Sequence, residues 1–379
     1  MFDLLKGVRV VDLSTIVLGP YATQLIGDFG AEVIKVEPPA GDLFRAAPPG
    51  HAGGDGAGFL NLNRNKRSVV LDVASPEGLG ALMTLIATAD VVVHNIRPRS
   101  AERLGIGYEA VRAVKPDIVY CTARGFGAGP QGDEPAYDDC IQSASGVAWL
   151  NADAAGAPRF VQTVLCDKIA GLHLALAIAA GIAARERTGE GVCIETPMYE
   201  AMVSFLMIEH LGGMTFDPPV GPTGYDRLSS PGRRPHATRD GYVTVMPYTA
   251  AHWRAYLALV ERQDLIDDPR VTDAKLRGAH IDMLYGIIAE ASPARTTDDW
   301  IATLNAAGIP CARVNRIDDL LSDPHLTEAG IFGTVEHPVE GRLRTVRSPF
   351  AVIGREAAPD RPAPALGADT AAILAEMSA

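Results

Sequence analysis

Five short runs rich in valine and isoleucine alternate with amphipathic segments through the first half of the 379-residue chain. Runs 8–13, 32–36, 68–72, 90–93 and 117–121 read as buried strands, and segments 21–29, 76–88, 108–114 and 141–150 have helical spacing. A strand followed by a parallel strand needs a long crossover to bring the chain back, usually a helix. This alternation therefore predicts a mostly parallel sheet covered by helices on both faces.

Ser75-Pro76-Glu77 and Thr196-Pro197-Met-Tyr-Glu200 look like helix starts, each a capping residue followed by proline at the first helical position. A helix from Asp167 to about Arg187 ends at Thr188-Gly189-Glu190-Gly191, which places Asp167 at its amino terminus. The most apolar stretch, 169–184, carries His173 and is shorter than the ~20 residues a membrane span needs. It reads as a buried helix. From Gly212 to Pro235 the chain turns to Gly, Pro, Ser and Arg, as in a linker and exposed loop. Beyond it, strands are expected at 241–246 and 311–314, and helices over 250–261, 280–291 and 297–307. Segment 333–353, broken at Pro338 and Glu340-Gly341, reads as antiparallel strands, and the Pro- and Ala-rich tail from Ala357 wraps a surface.

A net charge of −12 and a pI near 5.2 leave no excess of cations to neutralise a nucleic acid, so any bound anion must be held locally. Met1-Phe2-Asp3 to Gly7 lacks the basic and apolar regions of a secretion signal, which predicts a cytoplasmic protein. The five cysteines at 121, 140, 166, 193 and 311 show neither disulfide nor metal spacing and read as reduced core residues. Cys166 reads as packing at a strand end. Gly125-Phe-Gly-Ala-Gly-Pro130 has the wrong spacing for a dinucleotide fingerprint. Phosphate loops and Gly-x-Ser-x-Gly elbows are absent, which removes most of the weight from dehydrogenase, ATPase and serine-hydrolase readings.

Gly7-Val-Arg-Val-Val-Asp-Leu-Ser14, Gly19-Pro-Tyr-Ala22, Asp28-Phe-Gly-Ala-Glu-Val-Ile-Lys-Val-Glu37 and Asn63-Arg-Asn-Lys-Arg-Ser68 follow one another in order. After them come Asp90-Val-Val-Val-His-Asn95, Glu102-Arg-Leu-Gly-Ile-Gly-Tyr108, Val119-Tyr-Cys121 with Gly125-Phe-Gly127, Asp167 with Ala170-Gly171, and Arg187-Thr-Gly-Glu-Gly191. Together they resemble the family III CoA-transferases, the CaiB/BaiF family of carnitine and formyl/oxalate type. The resemblance runs down to Pro364-Ala-Leu-Gly367. It implies an α/β fold with a Rossmann-like large domain from 1–205 and 330–379, a smaller α+β domain from 225–325, linkers at 206–224 and 326–329, and an interlocked homodimer.

It also implies an activity: CoA passes from an acyl-CoA donor to a free carboxylic acid, with no tightly bound cofactor, no metal, no nucleic acid and no membrane. Asp167 matches the family's nucleophile. The residues alone leave it equally as a helix cap. A carboxylate suits such exchange, since an anhydride or thioester keeps the acyl group activated where a serine ester would stall. Amino-terminal helix N–H groups are expected to keep Asp167 ionised and to stabilise oxyanions. Adenine and phosphate contacts carry over to Asn95, Ile96 and Arg103, and pantetheine or thioester contacts to Val17, Leu18 and Tyr137.

Two departures from the family stand out. Many relatives carry an arginine where this chain has Glu37-Pro38, a contact that Lys66, Arg67 or Arg97 is left to replace. The glycine run of oxalate-type members is Ser229-Ser-Pro-Gly-Arg-Arg-Pro235 here, where Arg233 and Arg234 either hold a substrate carboxylate or are exposed loop charges. The competing readings are a 2-methylacyl-CoA racemase, disfavoured because Tyr137 stands where the racemase histidine falls, and a non-catalytic CoA-binding protein.

Overall fold

A computed structural model of the chain describes residues 1–378. The chain forms two compact units, one from Met1–Phe205 with the segment from Thr327 onward, the other from Leu206–Leu326.

The first unit is built on β1 (Arg9–Asp12), α1 (Leu18–Asp28), β2 (Glu32–Glu37), α2 (Ala57–Leu62), β3 (Lys66–Val70), α3 (Pro76–Ala87) and β4 (Val91–His94). It continues through α4 (Pro98–Arg103), α5 (Tyr108–Val114), β5 (Val119–Arg124), α6 (Asp138–Ala144), α7 (Val147–Leu150), α8 (Leu165–Thr188) and β6 (Val192–Pro197). Its six strands are all parallel, in the order β3-β2-β1-β4-β5-β6. Strand order reverses between β1 and β4, so the loops leaving their carboxyl ends part there and open a crevice, the usual ligand site of an open α/β sheet. Val11, Ile34, Val69 and Val92 on the strands pack with Leu82, Leu85 and Ile86 of α3.

Several local features follow the sequence. The Ser75 hydroxyl accepts the Gly78 N–H at 3.0 Å with Pro76 next to it, and α8 stops where Gly189 takes φ +72°. Others differ. The strand expected at 68–72 begins at Lys66, whose buried ammonium is held by Asp12, Thr23 and Asn63, so its charge masks a core position. Segment 141–150 breaks into α6 and α7 at Gly146, φ +90°. Strand β6 was not expected, and Thr196 lies within it instead of capping a helix. Pro197 ends this edge strand, where its missing N–H is tolerated, and α9 (Met198–His210) follows.

Helix α8 spans 24 residues and by length and composition alone could cross a membrane, so shortness does not exclude a span. It is instead packed on one side only. Leu174, Ile178 and Ile182 are buried, whereas Leu172 and Leu176 are 49% and 68% exposed. Cys166 sits in the first turn of this helix, not at a strand end. All five cysteines are free, and Cys140 and Cys193 are exposed, outside the core.

The second unit contains α10 (Asp226–Ser229), β7 (His236–Ala237), β8 (Tyr242–Val245), α11 (Ala250–Leu259), α12 (Pro269–Thr272) and α13 (Ala274–Ala279). There follow α14 (Ile281–Ala291), α15 (Thr297–Ala306), β9 (Cys311–Arg313) and α16 (Pro324–Glu328). β7, β8 and β9 form a small antiparallel sheet over a separate core containing Trp253, Tyr256, Leu284 and Trp300. Back in the first unit, β10 (Phe332–His337) and β11 (Gly341–Val346) make an antiparallel hairpin whose second strand stops well short of 353. The tail does lie on the surface, with Arg361 bonded to Asn65, but it ends in an unexpected helix, α17 (Thr370–Ser378), which buries Ile373.

Candidate active site

The crevice at the strand-order reversal is a cleft of about 270 Å³, lined by the loop after β1, the turn after β4, the end of β5, the approach to α6 and the first turn of α8. Val17, Leu18, Asn95, Tyr137 and Asp167 all line it. Ile96 faces a smaller neighbouring hollow of about 110 Å³, and Arg103 lines neither, standing exposed on α4 with its guanidinium 3.3 Å from the Ser100 hydroxyl.

The loop after β1 is held in a conformation its sequence would not choose. Ile16 takes φ +71°, an uncommon state for a β-branched residue. Its N–H is bound by Asp42 at 3.1 Å, and Asp42 is fixed by Lys35 at 2.8 Å, with both side chains fully buried. Lys35 also donates to the Ser14 carbonyl at 2.8 Å. Asn95 closes the other side: its Oδ1 accepts the Thr15 N–H at 3.0 Å and its Nδ2 donates to the Thr15 carbonyl at 2.9 Å. The amide of Asn95 is thus occupied at both ends by the loop it supports.

Asp167 is the third residue of α8 and half-buried, and its carboxylate oxygens have no hydrogen-bond partner among the described residues. Its backbone N–H donates to Asp138 Oδ1 at 3.0 Å. Asp138 is buried and held in turn by Gln142 Nε2 at 2.6 Å, while Gln142 Oε1 accepts the Val161 N–H at 2.8 Å. The clasp joins α6 to the loop that feeds α8. Burial, and secondarily the Asp138 carboxylate, push the Asp167 carboxyl up from 3.8 to about 7. The expected helix-terminal stabilisation of the ionised form does not keep it in the ordinary carboxylate range: burial and a like charge raise it, so that it is only partly ionised at neutral pH.

The residues considered for the missing arginine separate clearly. Glu37 is itself buried, held by Arg45 at 2.7 Å and by the Ser68 hydroxyl at 2.7 Å. Lys66 is buried against Asp12, and Arg67 pairs with Glu32 and Glu376. Arg97 alone of the three lines the cleft, exposed and without a side-chain partner among the described residues. In the second unit Arg233 and Arg234 are exposed loop residues. Two residues escaped the sequence reading: Asp138, next to a tyrosine that drew the attention, and Arg124, which lines the cleft from the end of β5. Among the described residues no group of three His, Cys, Asp or Glu is placed to hold a metal ion.

Residues 5–370 match the model of CoA-transferase family III. A succinyl-CoA:mesaconate CoA-transferase of Haloarcula hispanica is 32% identical, over 98% of this chain and 96% of its own. A succinyl-CoA:glutarate CoA-transferase of Homo sapiens is 28% identical, over 98% and 86%. A crystal structure of a CAIB/BAIF family protein from Brucella suis superimposes with a TM-score of 0.83 at 27% identity, each chain covered completely.

Proposed function

Starting from a chain that belongs to CoA-transferase family III, we propose that Asp167 is the nucleophile through which it moves CoA from an acyl-CoA to a free carboxylic acid. The observation that carries this is the unpartnered Asp167 carboxylate in the first turn of α8, facing a cleft shared with Val17, Leu18, Asn95 and Tyr137.

One Asp167 oxygen attacks the thioester carbonyl, forming a C–O bond as the C–S bond breaks, and CoA leaves as thiolate. The product is a mixed anhydride. The thiolate then attacks the aspartyl carbonyl, which expels the donor acid as carboxylate and leaves an aspartyl-CoA thioester. The acceptor carboxylate reverses both steps, so no net proton is consumed and activation is kept throughout. A carboxyl near 7 is a stronger nucleophile when ionised than an ordinary aspartate, and much of it is ionised at neutral pH. Helix α1 opens beside the same cleft, which Val17 and Leu18 line, and its first N–H groups carry no side-chain cap, an arrangement that suits a developing oxyanion. The Haloarcula and human relatives are named for mesaconate and glutarate, both dicarboxylic acids, and we extend that class to the acids used here.

With succinyl-CoA and no acceptor, the aspartyl species should accumulate and be trapped by hydroxylamine or borohydride on the peptide containing Asp167. Asp167→Ala should still bind CoA but form no adduct. A folded Asp167→Ala variant that transfers CoA would overturn the mechanism.

A further inference from the structure

His94 ends β4, is buried, and is bonded at both ring nitrogens. Its Nε2 lies 2.6 Å from the Tyr120 hydroxyl, and its Nδ1 lies 3.2 Å from the Ile96 nitrogen. The Tyr120 hydroxyl gives its single hydrogen to the Ile106 carbonyl at 2.7 Å. Towards His94 it can only accept, so Nε2 carries a proton. The Ile96 N–H can only donate, so Nδ1 is bare. One neutral tautomer satisfies every group in this relay, whereas the other tautomer and the imidazolium both set N–H against N–H at Ile96. Burial favours the same neutral state, pushing the imidazole down from 6.5 to about 4. Glu102, Arg124, Cys193 and Glu195 share the hollow beside the ring, and among the described residues none of them is hydrogen-bonded to it.

We propose that His94 is a positioning residue: its bare Nδ1 holds the turn after β4, and through that turn it fixes the loop after β1 along the Asp167 cleft. The inference rests on the reading that acyl-CoA binds in that cleft. Between His94 and Ile96 stands Asn95, whose amide clasps the Thr15 N–H at 3.0 Å and the Thr15 carbonyl at 2.9 Å. Thr15, Ile16, Val17 and Leu18 line the cleft together with Asn95 and Arg97. At its far end the relay reaches Ile106, in the link between α4 and α5, so the ring ties the turn that precedes α4 to the link that follows it. A ring that lost its acceptor at Nδ1 would strand the Ile96 N–H and release Asn95 from its angle, which moves the cleft lining without any change at Asp167.

Two substitutions separate the acceptor from the bulk of the ring. His94→Asn keeps an oxygen that can accept the Ile96 N–H, as in an Asx turn, and drops the bond to Tyr120, whereas His94→Leu fills the space and drops both. CoA affinity is measured by calorimetry for the wild type and both variants. The protonation of each ring nitrogen is read by nitrogen NMR on the wild type, with the His94 signals assigned by their loss in the variants. The wild type should show a protonated Nε2 and a bare Nδ1 at neutral pH. His94→Leu should weaken CoA about tenfold, the effect of one stranded buried donor, and His94→Asn should recover most of that loss. A protonated Nδ1 in the wild type overturns the proposal. So does a folded His94→Leu variant with unchanged affinity, or a His94→Asn variant as weak as His94→Leu, which would reduce the ring to packing. If His94→Leu does not fold, the wild-type spectrum and the affinity of His94→Asn decide. A wild type with a bare Nδ1 that bound no CoA would remove the functional reading beneath, and the proposal with it.

Discussion

Ionising Asp167 costs the folded chain what it does not cost the unfolded one, because the folded carboxyl is half-buried beside Asp138. The folded value near 7 lies above the ordinary 3.8. The native state therefore holds more protons between those values, and stability falls as pH rises through that window. Asp167→Asn removes the cost. It should stabilise the protein at pH 8 by ~2 kcal/mol, three pH units at ~1.36 kcal/mol each, halved for water in an open cleft, with the gain gone near pH 3.5. Urea unfolding at the two pH values checks this, and a helix cap, which asparagine serves as well as aspartate, would give no such pH-dependent gain. The same group should place the acid limb of kcat/KM near pH 7, and Asp138→Asn, which removes the like charge but keeps an acceptor oxygen, should move that limb downward. Asp167 was legible because a glycine stop and a family motif bracket its helix. Asp138 was not, since nothing in Tyr137-Asp138-Asp139 tells that a segment 29 residues on folds its N–H against it.

Between elements, the β1–α1 loop depends on groups that the alternation of valine runs conceals. The strands were legible because their apolar residues repeat where a doubly covered sheet needs them, and β2 occupies Glu32–Glu37 as the run suggested. Lys35 inside that run looks like a solvent-facing charge, yet it is fully buried and bridges Asp42 to the Ser14 carbonyl. Buried pairs cannot be read from a single chain, because the residue types are those of a surface and only the fold removes their water. The same concealment moved the start of β3 to Lys66. A buried pair contributes little beyond a hydrophobic equivalent, but removing one partner strands the other charge. Lys35→Met should accordingly cost about 3–5 kcal/mol in urea unfolding. It should also weaken CoA binding, since Asp42 would no longer be fixed against the Ile16 N–H.

At the scale of the molecule, the chain leaves one compact unit at Phe205 and returns to it at Thr327, so the second unit is an insertion and the first is discontinuous. The change of composition after Gly212 made a second region legible. The tail's return to the first unit was implied by the family resemblance alone, because its anchors are single contacts between distant residues, such as Arg361 with Asn65 and Ser68 N–H with Asp369. The two units have separate cores: Val11, Ile34 and Val92 belong to one, and Trp253, Tyr256 and Trp300 to the other. Independent cores predict independent folding. A fragment of residues 206–326 should unfold cooperatively with urea, and its emission should be that of buried indoles, since Trp253 and Trp300 are each 1% exposed and the third tryptophan, Trp149, lies outside it. The complementary cut should fail. Residues 1–205 alone lack α17, and with it the cover over β3 and the burial of Ile373, worth about 1.5–3 kcal/mol by itself. That fragment should be insoluble or bind no CoA, and adding 327–379 through a short linker in place of the insertion should restore its solubility. A 206–326 fragment that emits as exposed tryptophan and melts without cooperativity would show that its core needs the rest of the chain.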